Sequence, residues 1–458
     1  MPTMLRAASP AVLMLCALGL AGAQGPPSTV AFVGITVIPM DRERVLPAQT
    51  VVVSGGRISA LGPAAEVRVP DGAVRVEGAG RFLLPGLAEM HAHIPGGQAP
   101  DAAVERVLFL YVANGITTIR GMLGHPRHLP LREAIARGAV LGPTIYTSGP
   151  SFSGTSAPDA DTARRMVAAQ KQAGYDFLKI HPGVRREVFE ALAAEAGRAG
   201  IRFAGHVPLE VGLQRALEAR YATIDHLDGY VEALLKPDAP VRASDTIWFG
   251  VNLADHLDEA RIPEIVAATR RAGTWIVPTE TLLEHTTNET DPDEMARWPE
   301  MRYVPPDQIA QWSEGKRKLS ATPGVTVETR RHFIAVRRRL IKAFHDGGVG
   351  LLLGSDAPQV WNVPGFSIHR ELALLVESGL TPWQALETGT RNVATFFGTL
   401  DERGTVAPGK RADLVVLDAD PLASIANTTR IHGVMVAGRW ISRAEIDAGL
   451  KRYEVGQP

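Results

Sequence analysis

Eight short apolar runs alternate with amphipathic stretches between residues 84 and 355, and this alternation limits the fold more than anything else in the chain. The runs read as strands at 84–91, 116–120, 144–148, 177–181, 202–206, 223–226, 274–279 and 350–355. Most are followed by segments with apolar residues at helical spacing, such as AAVERVLFLYVANG, DTARRMVAAQKQAG, REVFEALAAEAGRAG, LEVGLQRALEAR and IPEIVAATRRAG. Strands and helices in alternation demand a parallel sheet covered by helices. An open doubly wound sheet would need a G-x-G-x-x-G turn after its first strand, and none follows 84–91. Eight repeats over this length predict an α/β fold of the (β/α)8 TIM barrel type.

The two ends of the chain have another texture. Residues 30–82 are β-branched and turn-punctuated, as in VAFVGITVIPM and QTVVVSGGRISALG, where Gly55 and Gly56 mark a hairpin. The texture returns at 404–440 in GTVAPGKRADLVVLDADP and RIHGVMVAGRW. These blocks are expected to pair into one small β-sandwich domain, 24–82 with 404–458, beside a barrel at 83–403. Two excursions interrupt the alternation, at 231–261 and 282–330. The second carries Asp291, Pro292, Trp298, Pro299, Pro305 and Pro306 and reads as a long irregular loop after the seventh strand.

Residues 1–23 read as a secretory signal peptide: Arg6, an apolar run at 11–20, then Ala21-Gly22-Ala23 as a cleavage site. The run is too short to span a bilayer, so a secreted or periplasmic protein is expected. Cys16, the only cysteine, lies inside this segment. The exported part would then hold together by core burial and bound metal, without disulfides. Lys plus Arg (48) nearly balance Asp plus Glu (49), with no run of like charge. That argues against nucleic acid or an anionic membrane as the main partner. A small neutral or zwitterionic substrate fits, and the composition does not separate a monomer from a homo-oligomer.

In a barrel of this kind the reacting side chains sit at the C-terminal ends of the strands, where the loops converge. The stretch LLPGLAEMHAHIPGG puts His91 and His93 on one face of the first strand. Lys179 lies in FLKIH, His206 in AGHVP, His226 in TIDH and Asp356 in GSDAP. Each alone is weak: a lone histidine is more often a hydrogen-bonded core or surface residue than a ligand, and a lone strand-end lysine more often makes an ion pair. Six such residues at strand ends together point to a metal site.

The pieces PGLAEMHAH, FLKIH, AGHVP, TIDH, GSDAP, LTPWQALETGTRNVATFFG and GTVAPGKRADLVVLDADP resemble the metal-dependent amidohydrolase superfamily over nearly the whole exported chain. The strand-four lysine with histidines ending strands five and six resembles its binuclear prolidase-like and imidazolonepropionase-related branch. The resemblance implies two divalent ions, with zinc suited to imidazole and carboxylate donors. It implies that His91, His93 and Asp356 hold the more buried ion, that His206 and His226 hold the other, and that Lys179, as N6-carboxylysine, bridges them. It implies attack by a metal-bridging hydroxide, with the catalytic Asp356 passing a proton to the leaving amine.

The expected reaction is hydrolysis of an amide bond in a small substrate, a dipeptide or N-acyl amino acid. The rivals are a mononuclear cyclic-amide hydrolase or deaminase, for which Lys179 would have no use, and a non-catalytic barrel. Substrate contacts are sought after the strands, where loops choose the ligand: Tyr230, Arg370 as partner of a substrate carboxylate, and His181, which shares a face with Lys179. Asp228, His125, His128 and Glu280 lie in similar positions.

Overall fold

The computed structural model describes residues 29–455, so the signal expected at 1–23 lies outside the described residues. The first part of the chain forms β1 (Val30–Val37), β2 (Leu46–Ser54), β3 (Arg57–Pro63), β4 (Val74–Glu77) and β5 (Phe82–Pro85). Next come seven short parallel strands: β6 (Leu87–Ala92), β7 (Ile116–Gly121), β8 (Thr144–Thr147), β9 (Phe177–Ile180), β10 (Arg202–Gly205), β11 (Thr223–Asp225) and β12 (Trp275–Val277). The last three, β13 (Leu414–Leu417), β14 (Ile431–Val436) and β15 (Arg439–Ser442), return to the first sheet.

That sheet runs β15-β14-β13-β5-β1-β2-β3, with β4 paired to β1. By hydrogen bonding it is one sheet, where the sequence suggested the two layers of a sandwich. Its halves are tied where β5 pairs antiparallel with β13, Leu83 opposite Val416. Phe32, Val51, Leu83, Leu414 and Met435 share one buried apolar cluster, and Trp440 stands edge-on to Phe32 at 5.1 Å. Gly55 and Gly56 turn the β2–β3 hairpin with φ of 57° and 78°, the sign that a tight two-residue turn requires.

The run read as a single strand at 84–91 is two strands in different sheets. Its backbone changes partner at Gly86: Gly86 N–H donates to Asp413 O, and Leu87 N–H to Gly115 O. A Cβ on Gly86 would stand 2.3 Å from the Thr117 side chain, so only glycine lets the chain cross here. Beyond it the parallel strands form two arcs, β6-β7-β8 and β9-β10-β11-β12. A bridge between Ser148 and Phe177 links the arcs. The eighth run, 350–355, makes no ladder. It is held by single bridges, Leu351 to Ile276 of β12 and Ala357 to Ala92 of β6, and by Met90 N–H donating to Leu353 O at 2.8 Å. The result is an α/β arrangement of the TIM-barrel type.

Helices follow as the spacing predicted: Asp101–Ala113, Ala160–Ala173, Arg186–Ala199, Gly212–Glu218 and Ile262–Ala272. The expected irregular loop at 282–330 is instead largely helical, with Glu280–Thr287, Pro292–Met295, Pro306–Ser320 and the start of Val327–Asp346. The prolines misled because three of them occupy the first turn of a helix, where a missing N–H costs nothing. No helix among the described residues is long and apolar enough to cross a membrane.

Replacing Gly86 by alanine should cost about 1–3 kcal/mol of stability through overpacking against Thr117. Urea unfolding measures it, and an unchanged midpoint would mean that the crossing tolerates a side chain.

Candidate metal centre

The strand ends place the six residues in one mouth. His91 is the fifth residue of β6, Lys179 the third of β9, His206 and His226 each follow the last residue of their strand, and Asp356 follows the run at 350–355. His93 Nε2 lies 2.7 Å from Asp356 Oδ1, and His91 Nε2 lies 3.6 Å from the same oxygen. Ligand atoms of His91, His93 and Asp356 all fall within 4.8 Å of one another. Lys179 Nζ is 3.4 Å from His91 Nε2. The His226 ring centroid is 4.4 Å from that of His91 and 4.6 Å from that of His206.

Lys179 is fully buried, and among the described residues no carboxylate oxygen comes within ion-pair distance of its ammonium. Burial pushes its pKa down to about 8, against the pull of Asp225 and Asp356. Burial, with the charge of Lys179 beside them, holds His91 and His206 well below the ordinary imidazole value. His226 is lowered in the same way by burial and by His91 and His206. At neutral pH these rings are therefore uncharged, with a lone pair free for a cation.

One nitrogen of each ring has an oxygen partner. His206 Nδ1 lies 2.6 Å from Asp228, and His226 Nδ1 lies 2.8 Å from Thr279 Oγ1. His91 Nδ1 lies 3.0 Å from Asp225 Oδ2, close enough for charge contact although the angle falls short of a hydrogen bond. Such partners orient a ligand ring and select its tautomer. Asp225 in turn accepts from Arg120 at 3.1 Å and from the Thr223 hydroxyl at 2.7 Å. Burial raises the Asp225 carboxyl, but Arg120 and Lys179 outweigh it and the net shift is downward.

The mouth is held in an unusual backbone conformation. His226 (φ 63°), Leu227 (56°), Thr279 (48°) and Asp356 (67°) are left-handed, which costs a non-glycine residue about 1–3 kcal/mol unless its surroundings enforce it. Here Glu371 accepts from the N–H groups of Glu280 and Thr281 at 2.9 and 2.7 Å. Arg337, fully buried, donates to His226 O, to Pro278 O and to Glu280. Glu89 accepts from the backbone N–H groups of His91 and Ser355, which joins the first and last runs.

Two residues expected to contact substrate have partners within the protein. Tyr230 is wholly buried, its hydroxyl 2.9 Å from Thr269 Oγ1 and its ring edge-on to Phe344, so it packs a helix onto the barrel. Arg370 pairs with Glu300 and stacks 4.1 Å over Trp298, which takes up its charge. His181 does stand near the site, its ring 5.1 Å from that of His206, with burial pressing its pKa down to about 3. Glu280 is buried against Arg337, and His128 accepts from His125 N–H. Asp225, Thr279 and Glu89 were not singled out in the sequence. Asp225 had a visible signal, a charge inside an otherwise buried strand next to His226.

The amidohydrolase family pattern matches residues 82–441. The chain belongs to the amidohydrolase family. Members of that family are metal-dependent hydrolases acting on carbon–nitrogen bonds, and the motif resemblance agrees with it. The chain is 25% identical over 403 residues to an adenine deaminase of Chelativorans sp., covering 84% of this chain and 53% of that protein. It thus spans about half the length of that relative. With an imidazolonepropionase of Micrococcus luteus it shares 24% identity over 418 residues, 86% of this chain and 94% of the other. Bottromycin amidohydrolase superposes with a TM-score of 0.70 at 24% identity, covering 94% of this chain and 91% of that one. Prolidase-like structures share the fold as well.

Burial pushes Glu371 up to about 7, against the hydrogen bonds from Thr281 and Glu280. A carboxyl held above its unfolded value stabilises fully below the ordinary carboxylate range and loses that share as pH rises through about 7. Unfolding free energy should therefore fall between pH 5 and 8, with up to ~3 kcal/mol of the fall due to this group. Glu371→Gln should flatten that share in denaturant titrations, leaving a slope from Glu89, itself raised to about 8 by burial. An unaltered slope would show that Glu371 is ionised in the fold.

Proposed function

We propose that this amidohydrolase is an exported, binuclear metal-dependent enzyme that cleaves an amide bond of a small substrate such as a dipeptide or an N-acyl amino acid. The observation that carries this reading is Lys179, a fully buried ammonium among neutral imidazoles with no counter-ion among the described residues. Lysine is almost never fully buried unpaired. An amine with its pKa near 8 is partly neutral and reactive at physiological pH, and conversion to a carbamate would replace an uncompensated cation with a two-oxygen bridge.

The donor set fits two ions. His91, His93 and Asp356 make one compact group. His206 and His226 each have Nδ1 committed to an oxygen, leaving Nε2 for another partner. Zinc suits these donors. Bound divalent cations would polarise a carbonyl and acidify a water. Asp356, with His93 on Oδ1 and Gln359 donating to Oδ2, is placed to take the proton of the attacking water and hand it to the departing nitrogen.

The bridges at residues 350–357 are read as closing an eight-stranded barrel at 83–403, with 24–82 and 404–458 as the flanking β domain. Export rests on Arg6, the apolar run at 11–20 and Ala21-Gly22-Ala23. A small-molecule substrate, without nucleic acid or membrane, follows from the balanced charge. A second reading, a mononuclear deaminase or cyclic-amide hydrolase, draws on the compactness of His91, His93 and Asp356 alone. It also draws on relatives named adenine deaminase and imidazolonepropionase.

Elemental analysis of the purified enzyme should find two divalent ions per chain, and Lys179→Met should hold one or none. Turnover of a dipeptide and N-acyl amino acid panel should drop by more than the 10–100-fold that loss of a supporting partner costs. One ion per chain with ammonia release from a purine would decide for the mononuclear reading. Thr279→Val should weaken metal affinity 10–100-fold in competition titrations while Thr279→Ser keeps it, because only the hydroxyl beside His226 Nδ1 is at stake. Equal affinities in the two variants would remove Thr279 from the centre.

A further inference from the structure

A cavity of about 860 Å³ opens beside His206, within the size range of small-molecule sites. Its walls include Leu209, Leu213, Glu232, Trp248 and Phe249. Two arginines reach it, and both are paired: Arg186 and Arg215 converge on Glu190 at 2.7 and 2.6 Å, and Arg215 also lies 4.0 Å from Glu218. Asp228 is committed to His206 Nδ1. Glu232 is different. One of its oxygens accepts from the Thr246 hydroxyl at 2.7 Å, and among the described residues no cation stands within ion-pair distance of it. Glu232 is thus a cavity carboxylate without a cationic partner among the described residues.

Another part of the lining is aromatic and strained. Trp248 (φ 39°), Phe249 (φ 60°) and Gly250 (φ 87°) form a left-handed run, a conformation that bulky residues avoid and that collects at ligand clamps. Gly250 is needed there, since a Cβ would stand 2.7 Å from the Val231 side chain on the helix that carries Glu232. Phe249 lies 5.3 Å from the His226 ring and 6.2 Å from that of His206, so this wall borders the metal centre directly. Trp248 is fixed by its indole N–H donating to Thr286 Oγ1 at 2.9 Å, yet stays 36% exposed. Aromatic side chains and a lone carboxylate lining one cavity attract a cation on an apolar stem.

We propose that this cavity is a substrate subsite for a primary ammonium or guanidinium carried on an apolar stem, with Glu232 as its counter-charge and Trp248 and Phe249 as its wall. The inference rests on the amide-hydrolase reading for its chemistry and gives that reading a substrate class, amides bearing a basic side chain. It also reverses the expectation of a carboxylate-binding arginine, because Arg370 is held by Glu300.

The test compares ligands of one shape and different charge on the intact metal-loaded enzyme. In calorimetric titrations at pH 7, 4-phenylbutylamine should bind about tenfold tighter than 4-phenylbutanol. In Glu232→Gln, which keeps the acceptor for Thr246, that preference should fall to about one. Equal binding of the two ligands by the wild type, or an undiminished preference in the variant, would overturn the subsite. Dipeptides with lysine or norleucine on either side of the amide supply the second arm, with kcat/KM favouring lysine on one side by a similar factor. If no dipeptide is cleaved but the amine preference holds, the amide reading falls and the subsite stands. If lysine and norleucine peptides are cleaved alike and the amine shows no advantage, the subsite falls and the amide reading stands.

Discussion

An unpaired lysine ammonium in a wholly buried position is the constraint to which the rest of the structure answers. Lys179 stands on β9 with no carboxylate in ion-pair contact among the described residues, and the imidazoles of His91 and His206 beside it are held neutral. The negative charge that balances it is one step removed, on Asp225, and that carboxylate is shared with Arg120 from β7. Arg120 also donates to Met90 O and Thr223 Oγ1, so a single guanidinium ties β6, β7 and β11 at one depth. Such networks are poor sources of net stability, because desolvation consumes most of the Coulombic gain. Their product is position: His91 Nδ1 is brought against Asp225, and its Nε2 toward Lys179 and Asp356.

The helical insertion that follows β12 bears on the site from outside. It builds a satellite apolar cluster from Met295, Met301, Tyr303 and Trp312, which packs with Trp361 from beyond the eighth run. It also supplies Glu300, which captures Arg370, and Lys316, whose ammonium donates to His285 O. A cation that could have faced a substrate carboxylate is thereby turned into packing. The side cavity beside His206 keeps Glu232 without a cationic partner among the described residues.

The features legible in the sequence were those governed by short-range periodicity. Alternating direction along a strand placed His91 with His93, and apolar runs located the strand ends that carry Lys179, His206, His226 and Asp356. What escaped was decided by distant partners. Nothing near Tyr230 announces Thr269, and nothing near Arg370 announces Glu300, so both looked free. Pro292, Pro299 and Pro306 read as breakers because the signal that makes a proline a helix starter lies in the residues that follow it. The split at Gly86 was invisible for a related reason: the apolar run is continuous, and only the packing of Thr117 against it shows that the chain changes sheet.

The strained residues share a location. His226, Thr279 and Asp356 bend left-handed at the ends of consecutive runs, and Trp248 and Phe249 do so in the wall beside them. A left-handed turn at a strand end swings the next side chain off the sheet face and into the mouth, which a regular strand cannot do. The energy to hold these turns comes from groups that never face a substrate. Glu371 clamps the backbone after Thr279, and Arg337 ties Pro278 to the His226 carbonyl. These clamps are buried and multiply bonded, so relaxing one turn would strip partners from several groups in a dry interior, at a cost larger than the strain released. The clamps thus oppose relaxation of these turns, and a ring of donors held in place is what a cation site needs to impose its own geometry on the ion.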